Sequence, residues 1–211
     1  MLVTAGPTYE PIDAVRYIAN RSSGRMGIAI AEAARNAGWD VTLLLGPVCH
    51  APPAKVNVER FVSTEDLQRL LDDHFPSCDL LVMAAAVADY RPVHHSAQKL
   101  ARETGKVTLQ LESTPDLVAA CANERKPHQR IIGFALEEPA QLDERAANKL
   151  RDKKLDAIVA NSLDTMNSDR ISGKIFTAKG DVHAPPHTGS MGKQDFANWF
   201  VEWIDKHLQA K

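Results

Sequence analysis

The chain has 211 residues, with 25 lysines and arginines against 27 aspartates and glutamates, and a formal net charge of −2. This balance argues against a dedicated nucleic-acid binder, which would carry a strongly basic face. No apolar run reaches the roughly 20 residues that span a bilayer, and the first residues lack the long apolar core of a secretory signal. The three cysteines are widely spaced and form neither a disulfide framework nor a zinc motif. Composition therefore predicts a soluble, cytoplasmic protein with a single domain over residues 1–211.

Periodicity predicts strands and helices that alternate along most of the chain. In chain order, the predicted elements are a strand over 2–5, a helix over 26–37, strands over 41–45 and 56–62, a helix over 64–75 capped by Thr64, a strand over 80–86, a weakly alternating strand over 107–111, a short helix opened by Pro115, a strand over 131–135, a helix over 141–154, strands over 157–160 and 174–178, and a helix over 194–208. A long polar loop precedes the first helix, and a second polar stretch over about 90–106 is expected to form a flap.

Repeated β-α-β units predict an α/β fold, a three-layer, Rossmann-like and mostly parallel sheet with helices on both faces. A small added β-segment and the closing helix, over about residues 162–211, complete the predicted domain. Sheets of this kind bind ligands at the carboxyl ends of their strands. The loops at that edge follow Ala5, Leu45, Ala86, Ala135 and Ala160. Candidate functional residues are therefore those in these loops.

The loop after the first strand ends in Ser22-Ser23-Gly24, immediately before the first predicted helix. Hydroxyl groups, glycine and free backbone amides at a helix N-terminus form a site for phosphate. An ordinary serine cap after a surface loop is the alternative interpretation. The sequence does not carry the G-x-G-x-x-G dinucleotide fingerprint close to the first strand.

A candidate hydrogen-bond acceptor, Asp89, follows the strand predicted to end at Ala86. Three alanines at 84–86 would let a flat ligand approach the backbone closely, and Asp89 would accept a hydrogen bond from its amino or hydroxyl groups. Alternatively, Asp89 forms a local ion pair with Arg91. The residues of this segment alone do not decide between the two interpretations.

Lys149 and Lys153 lie four residues apart on one face of the helix predicted over 141–154. Like charges at this spacing cost about 0.2–0.5 kcal/mol in an isolated helix, and a shared polyanion would reverse the sign. A solvated basic face near the helix C-terminus, favoured by the helix dipole, is the alternative. Lys99, in the predicted flap, has by itself the character of an ordinary surface lysine.

Two long segments resemble signature motifs of phosphopantothenoylcysteine synthetase. They are TAGPTYEPIDAVRYIANRSSGRMG at residues 4–27 and AAAVADYRP at residues 84–92. Shorter matches follow in order at 114–118, 133–137, 149–156 and 160–161, so that the resemblance covers roughly residues 2–180. In many bacteria this synthetase is the second half of a bifunctional coenzyme A enzyme whose first half is a flavin-dependent decarboxylase. The 211 residues do not include that half, and no FMN site is expected.

The resemblance implies a two-step ligation in coenzyme A biosynthesis. The carboxylate of 4′-phosphopantothenate attacks the α-phosphate of a nucleoside triphosphate, usually CTP in bacteria and ATP in eukaryotes, and pyrophosphate leaves. The amine of L-cysteine then displaces the nucleotide from the acyl-nucleotide, an acyl-cytidylate when CTP is used. Mg²⁺ is expected to be held mainly by the nucleotide phosphates, and no protein ligand is assigned to it. The family acts as a homodimer through added β-structure.

The resemblance also assigns residues. Asn20 corresponds to the asparagine that contacts the acyl intermediate, and Lys99 to the first lysine of a flexible K-x-K-K flap, so both are implied to be catalytic. The implied nucleotide-binding residues are Ser22, Ser23, Gly24, Met83, Ala84, Ala85, Asp89, Lys99, Pro115, Asp116, Leu117, Val118, Phe134, Lys149 and Lys153. The implied substrate-binding residues are Arg16, Asn20 and Ala86.

Two other functions are compatible with parts of the sequence. The predicted fold class alone allows an NAD(P)-dependent oxidoreductase of the Rossmann type. The flap departs from the family pattern, because Ala101 and Arg102 stand where the motif has lysines. This departure allows a non-catalytic nucleotide-binding homologue.

Overall fold

The computed structural model describes residues 1–102, 105–166, 168–186 and 189–208, except for the side chain of Asp164. Parts of two predicted segments therefore lie outside the described residues. They are Glu103 and Thr104 of the flap, and residues 167, 187–188 and 209–211 of the C-terminal segment.

Strands and helices alternate over most of the described chain. The strands are β1 (Leu2–Ala5), β2 (Tyr9–Pro11), β3 (Tyr17–Ala19), β4 (Thr42–Leu45), β5 (Asn57–Arg60), β6 (Leu80–Met83), β7 (Tyr90–Pro92), β8 (Leu111–Ser113), β9 (Arg130–Glu137), β10 (Ala157–Ser162), β11 (Arg170–Ile171), β12 (Gly173–Thr177), β13 (Val182–His183) and β14 (Met191–Gly192). The helices are α1 (Arg25–Asn36), α2 (Thr64–His74), α3 (Leu117–Glu124), α4 (Leu142–Asp152) and α5 (Lys193–His207).

An eight-stranded sheet in the order β13-β12-β10-β9-β6-β1-β4-β5 forms the centre of the molecule. The strands from β10 to β5 in this order are parallel, whereas β12 and β13 are antiparallel to their neighbours. The predicted α/β fold with a mostly parallel sheet is confirmed, and the segment predicted over 174–178 is β12. The chain proceeds outward from β1 to β4 and β5, then returns to β6 on the other side of β1, which opens a crevice at the carboxyl ends of these strands.

Helices cover both faces of the sheet, as predicted. On one face, α1 and α5 bury Ile30 and Phe200 against the sheet residue Val3. On the other face, α2, α3 and α4 bury an apolar layer that includes Leu67 and Leu150. Among the described helices, none combines the length and apolarity needed to cross a lipid bilayer.

The close packing of α1 on β1 requires glycine at position 27. A Cβ at Gly27 would lie 2.5 Å from the Cβ of Ala5 and 2.8 Å from the carbonyl oxygen of Thr4. Both distances are below van der Waals contact, so a larger residue would force the helix away from the strand. Gly27 therefore fixes how close the N-terminal turn of α1 comes to the carboxyl end of β1.

The polar loop predicted before α1 contains a β-hairpin that periodicity missed. Strands β2 and β3 pair antiparallel, and the rings of Tyr9 and Tyr17 stack with their centroids 3.8 Å apart. Each strand has only three residues, too few for an alternating pattern to be recognised. A second hairpin joins β7 to β8, where Arg91 forms an ion pair with Glu112 at 2.8 Å. The strand predicted over 107–111 is consequently shifted to Leu111–Ser113.

The strand predicted over 80–86 ends at Met83. Beyond it the backbone turns toward the loop after β1, where the Ala86 N–H donates to the Gly6 carbonyl at 2.9 Å and the Thr8 N–H donates to the Ala86 carbonyl at 3.3 Å. The parallel pairing with β1 is interrupted at residues 84–85, where the Ala85 N–H donates to the Thr4 side chain, and resumes only as an isolated bridge between Pro7 and Ala86. The sequence pattern stays apolar through Val87, which is why it predicts a longer strand.

Helix α2 is capped by Ser63 and not by Thr64. Ser63 Oγ accepts from the Asp66 N–H at 3.2 Å, and Asp66 Oδ2 accepts from the Ser63 N–H at 3.0 Å, which together form a capping box. Burial alone would raise the pKa of Asp66, but hydrogen bonds from Ser63 and Val62 outweigh it and lower that pKa. Thr64 is buried instead, and its hydroxyl donates to Glu10 at 2.6 Å.

Candidate active site at the carboxyl edge of the sheet

Two adjoining cavities lie at the carboxyl edge of the parallel strands, where the predicted site residues were expected. Cavity A has a volume of about 580 Å³, and cavity B has a volume of about 450 Å³. The residues that line both are Ala85, Ala86, Phe134 and Lys149. Because they share these walls, a single extended ligand could occupy both.

Cavity A collects most of the predicted nucleotide-binding residues. Those that line it are Met83, Ala85, Asp89, Pro115, Asp116, Leu117, Val118, Phe134, Lys149 and Lys153. Sequence reasoning did not single out Tyr90 and Gly133, which also line it. The walls combine apolar side chains with two lysines and two aspartates, a composition that fits a polar, partly aromatic ligand.

Cavity B collects the residues of the loop before α1. Its predicted members are Asn20, Ser22, Ser23, Gly24, Ala84, Ala85, Ala86, Phe134 and Lys149. Sequence reasoning assigned no role to Arg21, Arg25, Asn161 and Lys193, which also line it. Among the described residues that line cavity B, Arg21, Arg25, Lys149 and Lys193 are cationic and none is acidic, so the cavity favours an anionic ligand.

Threonine hydroxyls hold the wall that the two cavities share. Thr4 Oγ1 accepts from the Ala85 N–H at 3.0 Å, and Thr8 Oγ1 accepts from the Ala88 N–H at 3.0 Å. Thr114 donates its hydroxyl to the Ala88 carbonyl at 2.5 Å. Side chains from β1, its loop and the end of β8 thus fix the backbone of residues 85–88.

Asp89 is exposed and lines cavity A. The alternative of a local ion pair with Arg91 is not realised, because the Arg91 guanidinium pairs with Glu112 on the neighbouring strand. Asp89 therefore presents its carboxylate to the cavity as an acceptor. Its backbone carbonyl accepts from the Thr114 N–H at 3.0 Å, which anchors the residue between the two hairpin strands.

The N-terminus of α1 is not capped by a serine side chain. Gly24 occupies the cap position with φ +70°, and no side chain accepts from the first-turn amides. Ser22 Oγ instead lies 3.4 Å from the Gly24 N–H. A Cβ at Gly24 would lie 2.8 Å from Val48, so both the backbone angle and the space require glycine. The uncapped amides and the helix dipole make this end of α1 a suitable place for an anion.

Asn20 joins the end of β3 to the shared wall. Its Nδ2 donates to the Val87 carbonyl at 2.9 Å and lies 3.4 Å from the Ala86 carbonyl. The residue is otherwise exposed, and it lines cavity B. This arrangement places the Asn20 amide beside the backbone segment that separates the two cavities.

Each of the two predicted nucleotide-binding lysines has a carboxylate partner in the protein. Lys149 Nζ lies 2.6 Å from Glu137, and Lys153 Nζ lies 3.1 Å from Asp116. Burial alone would raise the pKa of Glu137, but hydrogen bonds from Lys149 and Arg145 outweigh it and lower that pKa. The carboxylates thus offset the like-charge repulsion that the spacing of the lysines implied.

Lys193, the first residue of α5, reaches cavity B from the C-terminal part of the chain. Its Nζ donates to the Ser168 carbonyl at 2.6 Å, and its backbone N–H donates to the Asp169 carbonyl at 2.9 Å. Burial, and next the charge of Arg25, lower the pKa of Lys193. The sequence offered no signal for this residue, because only folding brings α5 next to the loop before α1.

Two predicted site residues, Arg16 and Lys99, line neither cavity. The Arg16 guanidinium is paired with the buried carboxylate of Asp13 and donates to the Leu100 carbonyl at 3.0 Å. The Leu100 N–H donates to Asp13 Oδ2 at 3.1 Å. The Arg16 side chain and these amide bonds hold the pKa of Asp13 well below its usual range. Asp13 thereby fastens the predicted flap beside the β2–β3 turn, with Lys99 exposed to solvent.

No metal-binding cluster is found among the described residues. No three histidine, cysteine, aspartate or glutamate side chains in this part of the chain come close enough to hold an ion. The cysteines also lie apart from both cavities. Burial raises the pKa of Cys78 to about 11 and that of Cys121 to about 12, so both are thiols at neutral pH.

Known proteins resemble this chain in sequence. A relative from an unknown prokaryotic organism, named cysteine/cysteine sulfinic acid decarboxylase, is 43% identical over 164 residues, which are 77% of this chain and 45% of the relative. The coenzyme A biosynthesis bifunctional protein CoaBC of Haemophilus influenzae is 35% identical over 209 residues, which are 98% of this chain and 52% of the relative. The chain therefore spans about half the length of these relatives.

Solved structures share the fold. The crystal structure of the C-terminal domain of a coenzyme A biosynthesis bifunctional protein CoaBC has a TM-score of 0.82 and 34% identity, with 98% of this chain and 94% of that chain covered. A mutant of Cab2 in complex with phosphopantothenate-cysteine has a TM-score of 0.79 and 18% identity, with 97% and 86% covered, and at that identity it shows the fold alone.

The family described as the DNA/pantothenate metabolism flavoprotein C-terminal domain matches residues 1–208. This match includes both long motifs, at 4–27 and 84–92, on which the resemblance to the synthetase rests. It also includes every residue that lines the two cavities. The chain belongs to the DNA/pantothenate metabolism flavoprotein C-terminal domain family, and the family resemblance predicted from its motifs is confirmed.

Proposed function

We propose that the chain is a cytoplasmic ligase of coenzyme A biosynthesis, which joins 4′-phosphopantothenate to L-cysteine with CTP, or alternatively ATP, as co-substrate. The observation that carries the proposal is the pair of adjoining cavities, one partly apolar and one cationic, with Asn20 beside the wall between them. The similarity to the C-terminal half of CoaBC supports it. So does the phosphopantothenate-cysteine bound to Cab2, a protein of the same fold.

The nucleoside is proposed to occupy cavity A. The alanines at 84–86 and the ring of Phe134 leave room for a flat base, and Asp89 would accept a hydrogen bond from the base or the ribose. Lys149 and Lys153 would exchange part of their pairing with Glu137 and Asp116 for the ribose and phosphate oxygens. Before the nucleotide arrives, the pairing with Glu137 and Asp116 keeps both lysines neutralised.

The triphosphate is proposed to extend into cavity B. There the uncapped amides at the start of α1, with Ser22 and Ser23, would bind phosphate oxygens. Mg²⁺ is proposed to be bound mainly by those phosphates, which fits a site whose described walls carry no acidic cluster. It would neutralise charge on the triphosphate.

The main obstacle to the first step is the repulsion between a carboxylate and a polyphosphate. The phosphopantothenate carboxylate oxygen forms a bond to the α-phosphorus, and the bond from that phosphorus to the leaving pyrophosphate breaks. Cations and fixed amides stabilise the charge that develops on the α-phosphate and on pyrophosphate. Holding both substrates in adjoining cavities supplies the proximity. The product of this step is an acyl-nucleotide, an acyl-cytidylate when CTP is used.

In the second step, the amine of cysteine attacks the acyl carbon, the nucleoside monophosphate leaves, and the amine loses a proton as the amide forms. Asn20 is proposed to donate a hydrogen bond to the acyl oxygen. Its amide already lies beside the Val87 carbonyl, at the wall between the cavities. Ala86, on the same wall, would contact the phosphopantothenate arm.

Lys99 and Arg16 are proposed to complete the site when the flap closes. Arg16 and Leu100, the neighbour of Lys99, bind Asp13 outside the cavities, and the Lys99 side chain is exposed. Ala101 and Arg102 leave the flap with fewer lysines than the family motif, so Lys99 and Arg102 would supply its positive charge.

The active form is proposed to be a homodimer. The two hairpins expose large apolar side chains: Val15 is 60% and Tyr17 49% exposed near β2–β3, and Tyr90 is 56% and Leu111 45% exposed on β7–β8. Exposed aromatic and aliphatic groups of this size favour a protein partner. Strand β2 lies next to β7, which joins the two hairpins into one surface.

Pyrophosphate release provides the test of the proposed function. The purified chain would be incubated with Mg²⁺, 4′-phosphopantothenate and either CTP or ATP, with and without cysteine. We expect pyrophosphate only when phosphopantothenate and the preferred nucleotide are both present, and the amide product, detected by mass spectrometry, only with cysteine. Absence of pyrophosphate with both nucleotides would overturn the proposal. Titration with NAD(P) under the same conditions tests the oxidoreductase alternative, for which we expect no binding.

A further inference from the structure

Lys193 contributes a cation to cavity B from a part of the chain outside both long motifs. The residue opens α5 and is half-buried. Its position is fixed at two points, since its Nζ and its backbone N–H both donate to carbonyls of the segment before β11. The amino group is therefore already located at the cavity wall.

Lys193 forms no ion pair with a described carboxylate. Lys149 and Lys153 have carboxylate partners at 2.6 Å and 3.1 Å. By contrast, no carboxylate oxygen of the described side chains lies within 4.0 Å of Lys193 Nζ, the limit for an ion pair. Its contact is with a neutral carbonyl, that of Ser168.

The surroundings of Lys193 disfavour its charge unless an anion is present. Burial and the nearby Arg25 guanidinium lower the pKa of Lys193, while Asp169 opposes this shift. Arg25 itself donates its Nε–H to His50 Nε2 at 2.9 Å rather than to a carboxylate. A bound anion would stabilise both cations at once, because attraction replaces their mutual repulsion.

We propose that Lys193 is a nucleotide-binding residue that contacts phosphate oxygens of the nucleoside triphosphate held at the start of α1. This inference rests on the proposed function and adds to it a residue of the C-terminal helix. An ammonium donating to a phosphate oxygen forms a charge-assisted hydrogen bond, among the strongest that a side chain can make. The same chemistry could be satisfied by the phosphate of phosphopantothenate, which the experiment separates from the triphosphate.

The test compares three nucleotides that differ only in phosphate number, with phosphopantothenate as a fourth ligand. Calorimetry would measure the dissociation constants of the nucleoside triphosphate, diphosphate and monophosphate, and of phosphopantothenate, for the wild type, Lys193→Gln and Lys193→Arg. Lys206→Gln, an exposed lysine at the other end of α5, is the matched control. In every variant the backbone N–H at position 193 can still donate to the Asp169 carbonyl, so that the start of α5 keeps this anchor.

We expect Lys193→Gln to weaken triphosphate binding about tenfold or more, and monophosphate binding less than about twofold. Lys193→Arg should stay within about threefold of the wild type, and Lys206→Gln should match it. An equal loss for all nucleotides, no loss, or a loss confined to phosphopantothenate would overturn the inference. If the wild type releases pyrophosphate normally in these cases, the proposed function survives without Lys193.

A second measurement uses only the wild type, so its result does not depend on whether a variant folds. Lysine acetylation by a water-soluble reagent, read by mass spectrometry, would compare the modification of Lys193 with and without the triphosphate. We expect the triphosphate to protect Lys193 several-fold and to leave Lys206 unchanged. Equal modification of Lys193 in both samples would contradict direct contact. A wild type that neither binds nucleotide nor releases pyrophosphate would instead refute the proposed function itself.

Discussion

At the scale of single residues, Glu137 shows how the protein prepares a cationic site. The carboxylate ends β9, is only 8% exposed, and binds Lys149 at 2.6 Å and Arg145 at 3.0 Å. A lysine left unpaired beside the cavities would repel its neighbours in the absence of ligand. Glu137 removes this cost while leaving Lys149 on the wall that both cavities share.

The lowered pKa of Glu137 predicts a dependence of stability on pH. Because its pKa in the folded chain lies below the ordinary value of 4.5, the stabilisation is complete above that value and is lost as the pH falls through the folded-state pKa. We expect Glu137→Gln to lower the free energy of unfolding by about 1 kcal/mol at pH 7, with a smaller difference near pH 3.5. Urea denaturation at both pH values measures this.

The control for Glu137 is Glu112→Gln, which removes an exposed ion pair with Arg91. Exposed pairs contribute little, so the expected loss is below about 0.5 kcal/mol at either pH. If both variants lose the same stability, or if the Glu137 difference does not shrink in acid, the assigned role of the pair is wrong.

Asn20 provides a prediction about the second step of the proposed reaction, the formation of the amide. Asn20→Asp exchanges a donor for a negative charge that would face the acyl oxygen and the Val87 carbonyl. Because Asn20 is exposed, we expect the fold to be unaffected, pyrophosphate release to continue, and amide formation with cysteine to slow by about 100-fold. Rapid-quench assays of both products measure the two steps. Asn123→Asp, on the exposed side of α3, should behave as wild type, and normal amide formation by Asn20→Asp would remove Asn20 from the mechanism.

At the scale of elements, the position of α1 is the feature on which cavity B depends. Its uncapped N-terminus forms one wall, and its distance from β1 is set by Gly27. Alanine has the higher helix propensity, by about 1 kcal/mol. A Cβ 2.5 Å from that of Ala5 nevertheless forces the helix outward.

We expect Gly27→Ala to lower the free energy of unfolding by about 1–3 kcal/mol, because overpacking outweighs the gain in propensity. Nucleotide binding should weaken as well, since the first-turn amides move. Denaturation and calorimetry measure the two effects, with Asn36→Ala, at the exposed end of α1, expected to stay within about 0.5 kcal/mol of the wild type. A stabilised Gly27→Ala would show that the helix and strand can separate at no cost.

At the scale of the whole molecule, the exposed hairpin surface predicts the assembly. We expect light scattering after gel filtration to give twice the 23.2 kDa mass of one chain. Val15→Glu should shift the equilibrium toward the monomer by at least about tenfold, because it places a charge in the apolar surface. The comparison variant is Val182→Glu, on the edge strand β13 of the added β-segment and 54% exposed against 60% for Val15, which should remain dimeric if the hairpin surface is the interface. A wild type that stays at 23.2 kDa at every concentration would refute the homodimer.

The sequence by itself determined the α/β architecture, the sheet edge that carries the site and the family. These follow from local signals: apolar runs mark β1, β4 and β9, and glycine with hydroxyl residues marks the start of α1. Elements without such a signal were missed or displaced, as with the three-residue hairpin strands and the end of β6, where a hydrogen bond to the Thr4 side chain interrupts the pairing within an apolar run.

Only the tertiary structure decided the electrostatics of the site. Glu137 is twelve residues from Lys149, and Lys193 lies more than 160 residues from the loop before α1 that shares its cavity. No periodicity or spacing encodes such contacts, because they depend on which helix packs over which strand end. The sequence therefore predicted which residue types would bind an anion. Folding decided which of the cations already have a carboxylate partner and which can bind the anion of a ligand.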